Sequence, residues 1–246
     1  MNFFTRFQTI AEVDKEQAIS SMIEDATPDF DFFYLTVLSV LMASFGLLAG
    51  SETIVIGSML LAPIMGPVLA LALGLSMSNH SLIGRSVSSL GRATAIAVGA
   101  SALAALLFSF GSFGSGEVAS NSIIFARTQP TLLYFVVAIV AGLAAAYTVV
   151  QPHLSSGLTG VAVAVALIPP LAVVGIGIAH LNLPMAAGAL VMYLVNVAGI
   201  VFAAMLSFSL MDVHGKRKQA DSKIAQEEHR VEVEEQKVED IKNNVE

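Results

Sequence analysis

Apolar and polar residues fall in long blocks along this chain. Six apolar runs, at about 32–50, 53–75, 93–110, 131–150, 157–179 and 186–211, contain no Asp, Glu, Lys or Arg. Each is close to the roughly 20 residues that cross a bilayer as a helix, so the pattern predicts six membrane spans. Between the second and third, SMSNHSLIGRSVSSLGR at 76–92 is polar with Leu82, Ile83, Val87 and Leu90 interleaved, a spacing that predicts a short interfacial helix. A Gly/Ser-rich link covers 111–130 and ends in Pro130. Ahead of the spans, residues 1–31 mix Ile10, Val13, Ile19, Met22 and Ile23 with Glu12, Asp14, Glu16, Glu24 and Asp25, which predicts an amphipathic helix ending before Pro28. Membrane-surface helices present a basic polar face. This one is acidic, which favours packing or partner docking.

Two spans carry helix breakers where a lipid-embedded helix can least easily lose backbone hydrogen bonds. GSMLLAPIMGPVLALALG at 57–74 has Pro63, Gly66 and Pro67 near its middle, and GVAVAVALIPPLAVVGIG at 160–177 has Pro169 and Pro170. Both segments are expected to be interrupted. A shift of 103 residues lays Gly57 on Gly160, Pro67 on Pro170, Gly74 on Gly177 and Asn79 on Asn182. The second span thereby falls on the fifth, and the chain divides into halves of about 32–110 and 131–212. With three spans in each, the halves are inverted-topology repeats, an arrangement that recurs in secondary transporters. The fold class expected is an all-α integral membrane protein of six transmembrane helices in two inverted three-helix repeats, with helical cytoplasmic ends.

Composition sharpens this picture. The chain is 55% hydrophobic and 13% charged with a mean hydropathy of +0.77, far from the roughly 25% charge of a soluble domain. Between 32 and 212 the only charged residues are Arg85, Arg92, Arg127, Glu52, Glu117 and Asp212. The net charge of -7 therefore belongs to the ends, and nothing resembles a nucleic-acid surface. Six spans put Arg85, Arg92, Lys216, Arg217 and Lys218 on one side and Arg127 on the other. Basic residues mark the cytoplasmic side, so both termini are expected there, with the first span serving as the uncleaved insertion signal.

The tail from 213 to 246 is charged, with Ile224, Val231, Val238 and Val245 seven residues apart. The second seam position of that heptad reads Ala220, Glu227, Glu234 and Ile241, half of it polar. A solvated tail and a multimerising cytoplasmic helix are both consistent with it.

The run FGLLAGSETIVIGSMLLAPIMGPVLALALGL at 45–75 resembles the signature of the prokaryotic "domain of unknown function 389" membrane proteins. GALVMYLVNVAGIVFAAMLSF at 188–208, with its embedded Asn196, is similar to that family's closing span. The resemblance covers about 30–212, implies a multi-pass prokaryotic inner-membrane protein, and is densest at Gly57, Met59, Ala62, Pro63, Gly66, Pro67 and Asn196. It supplies no substrate.

Candidate chemistry is neutral, since no charge lies in a span and the usual marks of a proton relay are missing. Asn196 reads either as interhelical glue or as a ligand contact. Ser58 either faces the cavity or simply permits close packing. Glu52 reads as a helix-start carboxylate or as a cation attractor at the outer mouth. Asn79 and Asn182 are either symmetric gate positions or helix C-terminal caps. His80, His153 and His180 lack zinc-ligand spacing, no cysteine is present, and neither a metal nor a cofactor is expected. No pattern of an intramembrane enzyme occurs.

The function expected is a transporter or permeation pathway for a small solute or ion, with Ser58, Pro63, Gly66, Pro67, Pro169, Pro170 and Asn196 around a central site between segments 53–75 and 157–179. The competing reading is a membrane scaffold or sensor that binds partners through its cytoplasmic ends. Dense small residues, such as AGLAAA at 141–146, favour a compact bundle in the lipid bilayer and a homo-oligomer.

Overall fold

A computed structural model describes residues 12–109, 121–151, 158–211, 222–226, 229, 230 and 233. Among them all regular structure is helical: α1 Glu12–Asp25, α2 Phe30–Leu48, α3 Glu52–Met59, α4 Met65–Met77, α5 His80–Ser109, α6 Ser122–Ala126, α7 Leu132–Val150, α8 Leu158–Ala179 and α9 Leu183–Leu210. Four of these, α2, α5, α7 and α9, are long and apolar enough to cross a membrane. The chain is an all-α membrane protein.

Segment 53–75 is interrupted as expected, with α3 ending at Met59 and α4 beginning at Met65. Segment 157–179 is not. Helix α8 runs through Pro169 and Pro170 without a break. The difference has a packing cause: Leu167, Ile168, Leu171, Ala172, Val173 and Ile176 are all buried, and α2, α5, α7 and α9 pack around α8, so tertiary contact holds the helix through its missing N–H groups. The interfacial helix expected at 76–92 and the span after it are likewise one helix. Gly84 and Gly91 lie inside α5 without ending it, and its 30 residues make a rod of about 45 Å.

Small residues set the closest crossings. A Cβ on Gly142 of α7 would lie 2.6 Å from the Ile200 carbonyl oxygen of α9, and one on Gly175 of α8 would lie 2.5 Å from Ser101 Cβ of α5. The 141–146 run thus serves packing within the chain, its Ala141, Ala145 and Ala146 buried.

Two turns repeat the same contacts at the 103-residue offset. Ser78 and Leu181 both adopt left-handed backbone, at φ 52° and 53°. Asn79 N–H donates to the Gly74 carbonyl at 2.9 Å, and Asn182 N–H to the Gly177 carbonyl at 2.8 Å. The Asn79 side-chain oxygen then accepts from Leu82 N–H at 2.9 Å, and that of Asn182 from Met185 N–H at 3.1 Å. Each asparagine therefore serves two helices: its N–H closes the end of the helix before, in line with the expected C-terminal role, and its side chain is the N-cap of the helix after.

Helix α1 buries Ala18, Ile19, Met22 and Ile23 and packs on α4 and α7, so its apolar face serves packing. In the tail, Ile224 is 4% exposed and belongs to the same core. Ala220, Glu227, Val231, Glu234, Val238, Ile241 and Val245 of the expected heptad lie outside the described residues, as do His153, Glu117 and residues 111–120.

Candidate functional site at the helix break

The break between α3 and α4 follows from proline spacing. Pro63 removes the N–H that would bond Met59, and Pro67 removes the one that would bond the Pro63 carbonyl. Leu60 and Leu61 close α3 with short-range bonds to Gly57 and Ser58, and Gly66 N–H donates to the Pro63 carbonyl at 3.3 Å. The backbone freed around the break is partly used within the bundle: Ser39 Oγ on α2 donates to the Ser58 carbonyl at 2.6 Å, and Ser58 Oγ itself donates to the Val55 carbonyl at 2.6 Å. Ser58 is fully buried and acts here as a packing residue.

On the other side of the break lies a cleft of about 330 Å³ lined by Pro63, Pro67, Phe32 and Leu35, by Glu24, Asp25, Asp29 and Asp31, and by Arg230 of the tail. Four carboxylates thus converge on two prolines of the broken helix. Asp25 approaches the broken helix closely, since a Cβ on Gly66 would lie 2.6 Å from both Asp25 Cβ and Cγ. Glycine at 66 is what lets the end of α1 close on the first turn of α4. Part of Asp25 stays open to the cleft, yet burial of its carboxyl against α4 pushes it up to about 6, and Glu24 beside it adds to the shift. The positive end of the α4 dipole acts in the opposite sense.

Pro169 and Pro170 are buried in α8, which touches α3. Deeper in the bundle, the Ser44 hydroxyl lies 2.8 Å from both the Val40 carbonyl and Ser101 Oγ, and Ser101 Oγ donates to the Ala172 carbonyl at 2.7 Å. These neutral bonds tie α2, α5 and α8 together. Asn196 is 2% exposed on the α9 face that carries Tyr193, whose hydroxyl pairs with Thr94 of α5 at 2.9 Å. Of the expected site residues, Pro63, Gly66 and Pro67 gather at the cleft, whereas Ser58, Pro169, Pro170 and Asn196 are in the packed interior.

The short helix α6 lies at the opposite end of the bundle. Asn121 caps it by accepting from Ile123 N–H and also donates to the Leu47 carbonyl, both at 2.9 Å, and Gly188 of α9 meets the Thr128 carbonyl. Arg127 donates to the Ile123 carbonyl at 2.7 Å. Burial pulls its guanidinium down from the ordinary value, while Glu52 and Tyr134 oppose that pull. Glu52 is the first residue of α3, as the helix-start reading has it. Among the described residues no His/Cys/Asp/Glu group has the geometry of a metal site.

Asp25, Glu24, Asp29 and Asp31 were not singled out as site residues by sequence reasoning, because they precede the first apolar run and the stretch reads as an acidic amphipathic helix for packing or partner docking. The signal was the density of acids around Pro28 together with a glycine inside the broken span. No solved structure matches the chain. It is 28% identical over 175 residues to a protein of Methanocaldococcus jannaschii described as "Uncharacterized protein MJ0678", the match covering 71% of this chain and 52% of that protein. The chain thus spans about half the length of the curated relative it matches. The profile described as "Domain of unknown function (DUF389)" matches residues 59–202, from the last residue of α3 into the second half of α9. By that match the chain belongs to the DUF389 family of membrane proteins.

Proposed function

We propose that this protein is a permeation pathway or transporter for a small solute or ion, with six spans in two inverted three-helix repeats. On this reading α3 and α4 together make one span and α8 another. The halves are α2 to α5 and α7 to α9, and α3/α4 and α8 are their central members. Support comes from the matched turns at Asn79 and Asn182 and from the packing pattern, in which each central member touches both its own neighbours and the closing helix of the other half.

The observation that carries the functional reading is the broken helix whose Pro63 and Pro67 open on the acidic cleft. Interrupted helices at the centre of inverted repeats offer backbone groups to a passing ligand, and four carboxylates raise the local concentration of cations over anions. The scaffold reading has less support, since the apolar faces of α1 and of Ile224 are already buried in their own chain.

The test is reconstitution of the full chain in liposomes, with K⁺, Na⁺ and proton gradients followed by a voltage-sensitive dye and an internal pH dye, and with uptake of small labelled solutes. Movement that falls in a Pro63→Ala, Pro67→Ala variant of unchanged stability is expected. No movement of any probe by the full chain would overturn the reading.

A further inference from the structure

We propose that Asp25 is a proton switch at the helix break: its carboxyl, seated against Gly66 and open to the cleft, exchanges one proton with the water there and so sets the charge that faces Pro63 and Pro67. The seat is built into the backbone. A Cβ on Gly66 would lie 2.6 Å from Asp25 Cβ and Cγ and 2.7 Å from Oδ2, so glycine is what leaves room for the carboxyl on the first turn of α4. Pro67, next along, has no N–H to offer it, and among the described residues no hydrogen bond reaches the carboxyl. The rest of the side chain is open to the cleft. A proton therefore comes and goes without any movement of the helices.

The groups around Asp25 fix the sense of the switch. Glu24 stands beside it on α1, and Asp29 and Asp31 line the same cleft at the start of α2. Helix α4 carries no charged residue, and α7, the other helix packed on α1, has only Tyr134 and Tyr147 as titratable groups. On the basic side, Arg85 of α5 reaches the adjoining turn, its Nη1 3.3 Å from Thr27 Oγ1, and Arg230, next to His229, borders the cleft from the tail. Lys15, near the start of α1, pairs with Glu12 at 3.3 Å. Burial of the Asp25 carboxyl outweighs the arginines and the α4 dipole, and with Glu24 it pushes the group up to about 6. As pH rises through that value the proton passes to water, and the cleft gains one negative charge. The switch needs only this geometry. Its effect on flow, a pathway more favourable to cations as pH rises, rests on the permeation reading proposed above.

The chain has no cysteine, so one engineered thiol can report the charge of the cleft. Leu35 lines the cleft and is exposed. In purified full-length protein in detergent, Leu35→Cys is labelled with a trimethylammonium and with a sulfonate methanethiosulfonate, and the ratio of the two rates is followed from pH 5 to pH 7.5. Thiol ionisation acts alike on both reagents and cancels in the ratio. The switch predicts a ratio that rises with a midpoint at about 6, by about two- to fivefold, as one unit charge at roughly 7 Å acts on two probes of opposite sign after screening. Adding Asp25→Asn, which keeps the side chain's shape, removes the rise. Val87→Cys, on the exposed face of α5, keeps one ratio throughout. A ratio flat in pH at Leu35→Cys, a rise that persists with Asp25→Asn, or an equal rise at Val87→Cys overturns the switch. No transported solute enters the measurement, so a chain that moves nothing in liposomes fails the permeation reading while the ratio still decides the switch.

Discussion

Replacing Gly142 with alanine sets two effects of opposite sign against each other. In an open helix, glycine to alanine stabilises by about 1 kcal/mol through backbone entropy. At Gly142 the new methyl would lie 2.6 Å from the Ile200 carbonyl oxygen, 2.8 Å from Ile200 Cα and 2.9 Å from Ala203 Cβ. Two of these atoms are backbone of α9 and cannot swing aside. Restoring ordinary contact near 3.5 Å requires α7 and α9 to part by roughly 1 Å, and a gap of that size forfeits about a quarter to a half of the attraction of each neighbouring atom pair. Overpacking of this kind costs about 1–3 kcal/mol, which outweighs the entropy gain. A methyl group at Gly84, on α5, would meet nothing within 4 Å, so only the favourable effect remains there. Thermal unfolding in detergent, followed by helical circular dichroism, is therefore expected to give a lower midpoint for Gly142→Ala and an equal or higher one for Gly84→Ala. A Gly142→Ala protein as stable as its parent would refute the close α7–α9 crossing.

The repeated turn predicts matched responses: Asn79→Ala and Asn182→Ala each lose an N-cap and about 1 kcal/mol, whereas Leu181→Gly, at an exposed left-handed position, gains about 1 kcal/mol, all read as shifts in the same unfolding midpoint. For Asp25, whose carboxyl is pushed up to about 6 from 3.8, the folded state holds its proton at a pH where the unfolded chain has lost it. Stability therefore rises as pH falls through 6 towards 4. The unfolding midpoint of the parent relative to Asp25→Asn is expected to be higher at pH 5 than at pH 7.5, and a difference that is flat or reversed in pH contradicts the Asp25–Gly66 contact.

Much of the fold was legible because lipid imposes a simple rule on sequence, namely long charge-free runs with polar ends. The four long spans follow from it, and so does the break at Pro63, Gly66 and Pro67. Legibility ended where neighbours decide the outcome. Pro169 and Pro170 also read locally as a helix break, yet α8, packed between its neighbours, continues through them. The polar stretch at 76–92 reads as a separate interfacial helix only because composition changes there, whereas the backbone has no reason to stop before Ser109. The carboxylates of the cleft were hidden for a related reason, since no periodicity reveals that Asp25 folds back on Gly66, 41 positions away.

The unequal fate of the two proline pairs bears on mechanism. In the first half the prolines stand four apart, so two successive turns lose their bonds and the helix parts into α3 and α4. In the second half they are adjacent, the losses fall within one turn, and burial on all sides carries the helix through. A cleft lies beside the first break, where α1 and Arg230 border it, while at the other end of the bundle Asn121 bonds to Leu47 of α2 and Thr128 meets Gly188 of α9. The first proline pair therefore lies beside an acidic cleft and the second in the packed interior. On the carrier form of the proposed function such a difference is useful, because a pathway open at both ends would short-circuit any gradient, and here it follows from proline spacing together with the burial around α8.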